Sequence, residues 1–310
     1  MTEVISRLDP ALRHLVAART DLSPPVLGTV RDSVNQRRAE AALHTDTIGI
    51  EIEQRDVVAP DGHRITVRIY RGGPPPSPAV IYCHSGAFVL GNLDTDHRQC
   101  VELARRARVC VLSLDYRLAP EHPFPAAIDD AATVLDWVVN SAAELGVDAT
   151  AVAVAGNSAG GGLAAGLAQR SAAARLPPVA FTLLHQPVLD DRDTASKDEF
   201  TATPGFDAEA VQWMWTHYLA GSDPSSESVP ARSAELSALP ATMITCSELD
   251  PLRDEAIDYG RRLMRSGVGT GLHVFAGTCH GFDSLLPDWQ TSTRLFEWQS
   301  AALRQALLPD

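Results

Sequence analysis

The stretch that decides the fold is AVAVAGNSAGGGLAAGLA at residues 151–168, which reads as a strand, a glycine-rich turn and a helix. Within it, residues 156–160 have the form G-x-S-x-G, with Ser158 at the centre. Between a strand and a helix this sequence forms a nucleophile elbow, in which the serine sits on a strained turn and small neighbours keep the backbone clear. The same letters also occur in glycine turns without chemical function. The flanking strand and helix therefore carry the interpretation.

The regions on both sides of this motif alternate between apolar runs and helical stretches. Residues 48–52 and 65–69 alternate around Asp61-Gly62, which is typical of a β-hairpin. Later runs are continuously apolar, as in strands covered on both faces. They are AVIYC at 79–83, VCVLSL at 109–114, AVAVAG at 151–156, VAFTLL at 179–184, TMITC at 242–246 and LHVFA at 272–276. We predict an α/β fold with a mostly parallel sheet of eight strands and helices on both faces.

Two segments fall outside this alternation. Near the N-terminus, one helix is predicted to begin at Asp9-Pro10 and a second to cover residues 31–43. Residues 190–230 are rich in Asp, Ser and Pro and enclose the aromatic helix DAEAVQWMWTHYL. An insertion of this length in a compact domain is usually a lid or a binding loop. We expect residues 1–45 and 190–230 to cap a catalytic core formed by residues 46–189 and 231–310.

A serine nucleophile needs a base, and the base needs an acid that orients it. In this type of sheet the three follow the chain order Ser, Asp, His. Asp250 follows the strand TMITC and His280 follows the last predicted strand, both at the sheet edge that carries the elbow. Asp250 also fits an N-cap, and Glu248 and Asp254 are rival acids. For His280 the alternative is a surface loop histidine.

A glycine-containing loop follows the third strand, in YCHSGAFVLGN at residues 82–92. Acyl transfer needs N–H groups that point at the developing oxyanion, and a loop at this position supplies them. We expect Gly86 and Ala87 to donate, together with Ala159 after the nucleophile. The alternative is a structural turn at a strand end.

Five spaced motifs together resemble the bacterial hormone-sensitive-lipase family of esterases. They are GNSAGG around Ser158, HSGAF at 84–88, DYRLAPEHPFPAA at 115–127, DPLRDE at 250–255 and HGF at 280–282. The resemblance implies an α/β-hydrolase core with a helical cap and carboxylesterase activity on short to medium acyl esters. It also implies Ser158, Asp250 and His280 as the triad, with backbone donors at Gly86, Ala87 and Ala159. Such proteins often pair through the last edge strand, so a homodimer is expected.

Three positions depart from the family pattern. Ala87 stands where the HGGG motif of the family has its last glycine, Asn157 precedes the nucleophile, and Gln186 precedes Pro187 where tyrosine is common. The Cβ of Ala87 would narrow the acyl site or disturb the loop backbone. None of the three replaces a member of the triad.

The substrate pocket is predicted from aromatic and apolar side chains. Trp213 and Met214 lie on the helix of the 190–230 insertion, and Phe88 follows the oxyanion loop. We expect these three to line the acyl pocket and limit the chain length. The alternative is that the helix only anchors the cap to the core, since apolar residues occur almost all round it.

Composition restricts the partners. The net charge of −13 disfavours nucleic acids and anionic membranes, although a local basic patch remains compatible with it. No run of about 18 apolar residues and no signal-peptide pattern occurs, which favours the cytoplasm. Five widely spaced cysteines indicate reduced thiols. No residues occur at metal-ligand spacing, so we expect neither metal nor cofactor. The expected partner is a small-molecule ester, which is the substrate.

Two other functions stay open at this point. An amidase, formamidase or lactonase would use the same residues on a different leaving group. A ligand-binding receptor on this scaffold would lack one member of the triad, whereas all three are present here.

Overall fold

A computed structural model describes residues 2–308 of the chain, and within that range the strands form one sheet. The strands are β1 (Glu51–Val58), β2 (Arg64–Arg71), β3 (Ser77–Cys83), β4 (Cys110–Leu114), β5 (Val147–Asn157), β6 (Phe181–His185), β7 (Ala241–Leu249) and β8 (Thr270–Cys279). Over the described residues this sheet has eight strands in the order β1-β2-β4-β3-β5-β6-β7-β8.

The first two strands form the hairpin that the sequence predicts. They pair antiparallel, and Val58 lies opposite Arg64 across the turn. Strand β2 also runs antiparallel to β4, whereas β3 to β8 are mutually parallel. The prediction of an α/β-hydrolase fold with a mostly parallel sheet is confirmed.

Helices cover both faces of the sheet. Alternate residues of β3 divide between the two sides, since Ala79 and Ile81 pack with one core cluster and Val80 and Tyr82 with the other. The helices are α1 (Thr2–Arg7), α2 (Leu27–Leu43), α3 (His97–Ala107), α4 (Ala126–Asn140), α5 (Ala142–Leu145), α6 (Ala159–Ala172), α7 (Ala195–Glu199), α8 (Ala208–Leu219), α9 (Arg253–Arg265), α10 (Phe282–Leu285) and α11 (Gln290–Leu307). Helices α3 and α11 cover the second face, and α4, α6, α8 and α9 lie on the first.

The N-terminal segment differs from the sequence prediction. No α-helix begins at Pro10; the short helix α1 precedes this position, and a 3₁₀ turn at Arg13–Leu15 follows it. The N–H of Asp9 donates to the carbonyl of Gly277 at 2.9 Å, and the buried Leu8 and Leu12 fix the segment against the core. Helix α2 begins at Leu27, four residues before the predicted start.

Strand β1 begins later than the alternation of isoleucines suggests. Asp46 accepts a hydrogen bond from the N–H of Ile48 at 2.9 Å, and this turn leaves the Ile48 side chain 84% exposed. A local turn that a polar side chain stabilises therefore overrides the apolar pattern.

Helix α6 packs unusually close to the neighbouring strand. A Cβ built on Gly160 would lie 1.9 Å from the carbonyl oxygen of Cys83, at the end of β3. One built on Gly156 would lie 2.1 Å from the carbonyl oxygen of Gly160. Both contacts involve backbone atoms, so neither can be relieved by a side-chain rotation. The glycines of the elbow motif are therefore required by the distance between α6, β5 and β3.

The start of the 190–230 insertion is fixed by the only lysine of the chain, Lys197. Its ammonium group donates to the carbonyl oxygens of Asp190 and Arg192 at 2.6 and 2.8 Å, and it lies 2.8 Å from a carboxylate oxygen of Glu255. Glu255 also accepts the N–H of Leu189 at 2.7 Å. Burial raises the pKa of Glu255 to about 7, and Lys197 opposes that effect. The lysine and α9 thus bind the first turn of the insertion to the core.

The packing at the elbow predicts that alanine has opposite effects on stability at two helical glycines. Gly160→Ala should lower the free energy of unfolding by about 3 kcal/mol or more, because the new methyl group overlaps a backbone carbonyl. Gly28 in α2 has no atom within 4 Å of its ideal Cβ, so Gly28→Ala should raise the free energy of unfolding by about 0.4–1 kcal/mol. Urea unfolding of both variants measures the difference. Similar stabilities for the two would contradict the packing described here.

Candidate active site

Ser158 lies between β5 and α6 in a strained backbone conformation. Its φ of 57° and ψ of −119° fall outside the regions that a serine ordinarily adopts. The N–H of Ser158 donates to the carbonyl of His185 at 2.8 Å, and its own carbonyl accepts the N–H groups of Gly162 at 3.2 Å and Val188 at 3.0 Å. Hydrogen bonds to α6 and to the end of β6 therefore hold the turn in place.

His280 bridges the serine and a carboxylate. Its Nε2 lies 2.9 Å from Ser158 Oγ, and its Nδ1 lies 2.8 Å from Asp250 Oδ2. Asp250 follows β7, His280 follows β8, and both loops lie at the sheet edge that carries Ser158. A serine, an imidazole and a carboxylate in this order can form a nucleophile, its general base and the group that orients the base.

Asp250 is not the N-cap of α9, which is Leu252 without a side-chain hydrogen bond, but its carboxylate does stabilise the turn before that helix. Its Oδ1 accepts the N–H of Leu252 at 2.8 Å, so one oxygen stabilises the turn before α9 and the other binds His280.

The two rival acids form hydrogen bonds away from His280. Glu248 accepts the N–H of Gly277 at 2.8 Å, and Asp254 accepts the N–H of Ser196 at 2.8 Å.

The expected oxyanion donors lie on two elements near the serine. In the loop after β3, Gly86, Ala87 and Phe88 have φ values of 133°, 54° and 60°. The Gly86 carbonyl accepts the N–H groups of Val89 and Leu90, and within residues 2–308 no hydrogen bond uses the N–H of Gly86 or Ala87. Ala159 is the first residue of α6, where helical N–H groups have no partner in the helix. Gly86 and Ala87 line the cavity beside Ser158, whereas Ala159 follows Ser158 in the chain but is not part of the cavity lining.

A buried carboxylate fixes the base of the loop after β3. Asp96 accepts the backbone N–H of Ser85 at 2.8 Å and the Ser85 hydroxyl at 3.0 Å, and a third hydrogen bond comes from the Tyr82 hydroxyl at 3.2 Å. Burial raises the pKa of Asp96. The ring of His84 stacks on Tyr116 with centroids 4.1 Å apart. The loop therefore has a preformed shape, including the left-handed alanine that replaces the glycine of the family motif.

A buried polar network supports the loop that carries His280. Gln186 Oε1 accepts the N–H of Gly281 at 2.8 Å and the hydroxyl of Ser247 at 3.0 Å. From the sequence, Gln186 is a departure from the family pattern with no predicted role. The signal that could have revealed it is the pair of polar residues, His185 and Gln186, at the end of an otherwise apolar strand.

The network continues through His185 to Asp283. His185 Nε2 lies 2.8 Å from Gln186 Nε2 and 3.2 Å from Asp283 Oδ1, and its Nδ1 lies 2.8 Å from Thr245 Oγ1. Burial alone would raise the pKa of Asp283, but the charge of His185 and the hydrogen bond to it lower that pKa to about 2. The described chain thus contains a second His–Asp pair, which lies in the core behind the first.

The cavity beside Ser158 has a volume of about 530 Å³. Its walls come from the loop after β3, from residues 18–20, from one side of α2, and from Phe206 and Leu285. The ring of Phe206 lies 4.9 Å from that of His280, between centroids. This wall combines the two segments that the sequence predicted to form a cap.

The predicted pocket residues Phe88, Trp213 and Met214 require a correction, because none of them lines this cavity. Phe88 and Met214 are 2% and 0% exposed and belong to the main core. Phe88 stacks on Tyr218 of α8 at 3.9 Å, which turns its ring away from the site. Trp213 lines a separate, shallow depression beside residues 19–22. Helix α8 therefore anchors the insertion, as in the alternative given above.

Other reactive groups near the site have structural roles. Cys279 precedes His280 but is fully buried, and burial raises its pKa to about 12.

Among residues 2–308, no group of three His, Cys, Asp or Glu side chains is arranged to hold a metal ion. No helix in that range is both long enough and apolar enough to cross a bilayer.

Comparisons with known proteins place this site in a wider context. Residues 80–284 match the family model described as an alpha/beta hydrolase fold. The crystal structure of esterase LipW from Mycobacterium marinum is 58% identical, with a TM-score of 0.97, and the match covers 99% of this chain and 98% of that one. The carboxylesterase NlhH of Mycobacterium tuberculosis is 36% identical over 289 residues, 89% of this chain and 88% of the relative. The esterase LipI of the same species is 40% identical over 211 residues, 66% of each chain.

The buried His185–Asp283 pair makes a prediction about stability in acid. Because folding lowers the pKa of Asp283 from about 3.8 to about 2, its carboxylate stabilises the folded protein above pH 4, and this contribution disappears as the pH falls from 4 towards 2. Asp283→Asn removes the contribution. Between pH 6 and pH 3, the wild type should therefore lose about 1 kcal/mol more unfolding free energy than the variant.

Urea unfolding at the two pH values measures this difference. Asp223 is exposed in the loop after α8, so Asp223→Asn is the matched control and should follow the wild type. If the free-energy gap between wild type and Asp283→Asn is the same at both pH values, the carboxylate does not have the lowered pKa described here.

Proposed function

Because the chain belongs to the hormone-sensitive-lipase family of α/β-hydrolases and is a serine carboxylesterase, we propose that Ser158, His280 and Asp250 carry its reaction. The observation that supports this is the continuous pair of contacts from Ser158 Oγ to His280 Nε2 at 2.9 Å and from His280 Nδ1 to Asp250 Oδ2 at 2.8 Å. The strained elbow presents the hydroxyl at the wall of the cavity, where an ester can reach it.

The proposed reaction has two steps. His280 Nε2 takes the proton of Ser158 as Oγ attacks the ester carbonyl, and the N–H groups of Gly86, Ala87 and Ala159 bind the oxyanion. His280 then gives the proton to the departing alcohol, which leaves an acyl group on Ser158. Water attacks that acyl-enzyme with the same base and releases the acid. Asp250 holds the imidazole in one orientation and stabilises its charged form.

Three related activities use the same machinery. Amidases, formamidases and lactonases differ only in the leaving group, so the triad does not distinguish them from an esterase. The names of the relatives, esterase and carboxylesterase, support carboxylic esters as the substrates. A receptor without catalytic activity would not need all three members of the triad.

We further propose that residues 1–45 and 190–230 form a cap over the core of residues 46–189 and 231–310. Support comes from the cavity wall, where residues 18–20, one side of α2 and Phe206 face the loops of the core. In this arrangement the cap sets the shape of the substrate and the core sets the chemistry.

We also propose that the protein is cytoplasmic and forms a homodimer. Five cysteines without disulfides, all buried, support a reducing compartment such as the cytoplasm. Strand β8 is the last strand of the sheet, which supports a homodimer through that edge. The net charge of −13 supports a small-molecule substrate in preference to nucleic acid.

Replacement of the nucleophile tests the function directly. Ser158→Ala should leave a folded protein whose kcat on p-nitrophenyl butyrate is lower by roughly 10⁴-fold, because among residues 2–308 no other hydroxyl is hydrogen-bonded to His280. The exposed Ser222 is the matched control, and Ser222→Ala should keep wild-type activity. Circular dichroism checks the fold of both. Substantial turnover by a folded Ser158→Ala protein would overturn the assignment.

The size of the cavity predicts which acyl chain length the enzyme prefers. A cavity of about 530 Å³ with Phe206 beside the base suits short to medium chains, so kcat/KM on p-nitrophenyl esters should peak between acetate and octanoate. Phe206→Ala should favour longer chains, by roughly fourfold for each additional methylene that becomes buried. Trp213→Ala, outside the cavity, should keep the wild-type optimum. An optimum at palmitate in the wild type would be inconsistent with this pocket.

A further inference from the structure

The cavity beside Ser158 carries a charge opposite to that of the whole protein. Its lining includes Arg19, Arg37 and Arg38, and no Asp or Glu side chain is part of that lining among residues 2–308. The chain as a whole has a net charge of −13. A neutral ester would need no positive side chain in this wall, and a random selection from an acidic surface would be expected to include carboxylates.

The three arginines differ in their partners. Arg19 forms an ion pair with Asp207 at the start of α8, so its charge is already compensated. In the part of the chain that the structure describes, the guanidinium groups of Arg37 and Arg38 form neither an ion pair nor a hydrogen bond. Arg38 is partly buried and Arg37 is exposed. A partly buried guanidinium with five unused donors is suited to a planar anion such as a carboxylate.

Helix α2 holds these two side chains towards the cavity. Val34, Arg37, Arg38 and Ala41 all line the cavity, and their spacing of three and four residues places them on one side of the helix.

Another arginine of the helix fixes its position. Two turns before Arg38, the Arg31 side chain donates to the carbonyl of Val89 at 2.8 Å. Arg31 also binds both carboxylate oxygens of Glu121, at 2.8 and 2.9 Å. The helix is therefore tied to the segment that follows the oxyanion loop.

A structural role for Arg38 is the competing explanation. Arg38 acts on the nearby Asp96, where its charge opposes the rise in pKa that burial causes. The Asp96 carboxylate already accepts hydrogen bonds from the N–H and hydroxyl of Ser85 and from the hydroxyl of Tyr82. Arg38 lies beyond 4 Å from it, since the two form no ion pair. Asp96 thus leaves the donors of Arg38 free towards the cavity.

We propose that the substrates of this esterase carry a carboxylate in addition to the scissile ester, and that Arg38 and Arg37 bind this carboxylate. The proposal rests on the ester hydrolase function given above. The carboxylate stands either on the acyl portion or on the alcohol portion of the ester, and the experiment below distinguishes the two. The chemistry at Ser158 is unchanged, and the arginines contribute recognition of the anion.

Matched pairs of esters test the proposal. On the acyl side, monoethyl esters of succinic, glutaric, adipic and suberic acid are compared with the esters in which a carboxamide replaces the free carboxylate. On the alcohol side, the acetate esters of 4-hydroxybutyrate and 6-hydroxyhexanoate are compared with their carboxamides. Each pair has nearly the same size and shape, so the ratio of kcat/KM values reports the charge. At least one carboxylate should be preferred over its carboxamide by about tenfold or more in low salt.

Charge variants and salt identify the source of the preference. Arg38→Gln should lower the ratio of carboxylate to carboxamide by about tenfold, and Arg37→Gln by a smaller factor because that side chain is exposed. Arg265→Gln makes the same charge change at the far end of α9 and should keep the wild-type ratio. Raising sodium chloride from 20 to 500 mM should lower the ratio for the wild type and have little effect on it in Arg38→Gln.

The outcomes separate this proposal from the function itself. If no ester of either type is hydrolysed and Ser158→Ala changes nothing, the esterase function fails. If the carboxamide esters are hydrolysed by Ser158 but no carboxylate is preferred, the function stands and the anion site is wrong. If Arg38→Gln lowers kcat/KM equally for both members of every pair, Arg38 supports the loop around Asp96 and does not bind substrate.

Discussion

The contact between the N-terminal turn of α6 and the end of β3 is the constraint on which the rest of the site depends. Because Gly160 lies against the carbonyl of Cys83, the first N–H groups of α6 and the loop after β3 face the same space. Donors from two distant parts of the sequence can then meet one oxygen atom. Ser158 has its strained conformation next to this contact, and hydrogen bonds from the end of β6 and from α6 hold it there. The result is that Ser158, Gly86 and Ala87 line one cavity.

Sequence reasoning was most successful where local signals and chain order act together. The continuous apolar runs predicted the buried strands, and the order of Ser158, Asp250 and His280 predicted three loops at one edge of the sheet. That the three side chains meet follows from the parallel arrangement of β5, β7 and β8, whose carboxyl ends lie together. Sequence alone could not separate the catalytic from the capping interpretation of Asp250. Its carboxylate binds His280 and also stabilises the turn before α9, but the N-cap of that helix is Leu252.

The sequence could not predict the walls of the cavity. Trp213 and Met214 were expected there because their helix is aromatic, but periodicity says that a face is buried and does not say against what. The structure buries that face on the core and gives the cavity wall to Phe206 and to α2, of whose residues only Leu27 is buried. Likewise, the support that Gln186 gives to the loop of His280 depends on residues 95 positions apart. Such contacts arise from the tertiary fold and leave only weak signals in a single sequence.

The burial of Lys197 has a practical consequence for handling this protein. Reagents that acylate amines, including activated esters that carry dyes, cross-linkers or resin supports, react with the neutral form of a lysine. The chain offers them one side-chain amine, which is 8% exposed and held by two carbonyl groups and a carboxylate. Modification at this position requires the start of the 190–230 insertion to separate from α9. The rate at which Lys197 is labelled therefore reports how often that segment separates from α9, and no other lysine side chain contributes to the signal.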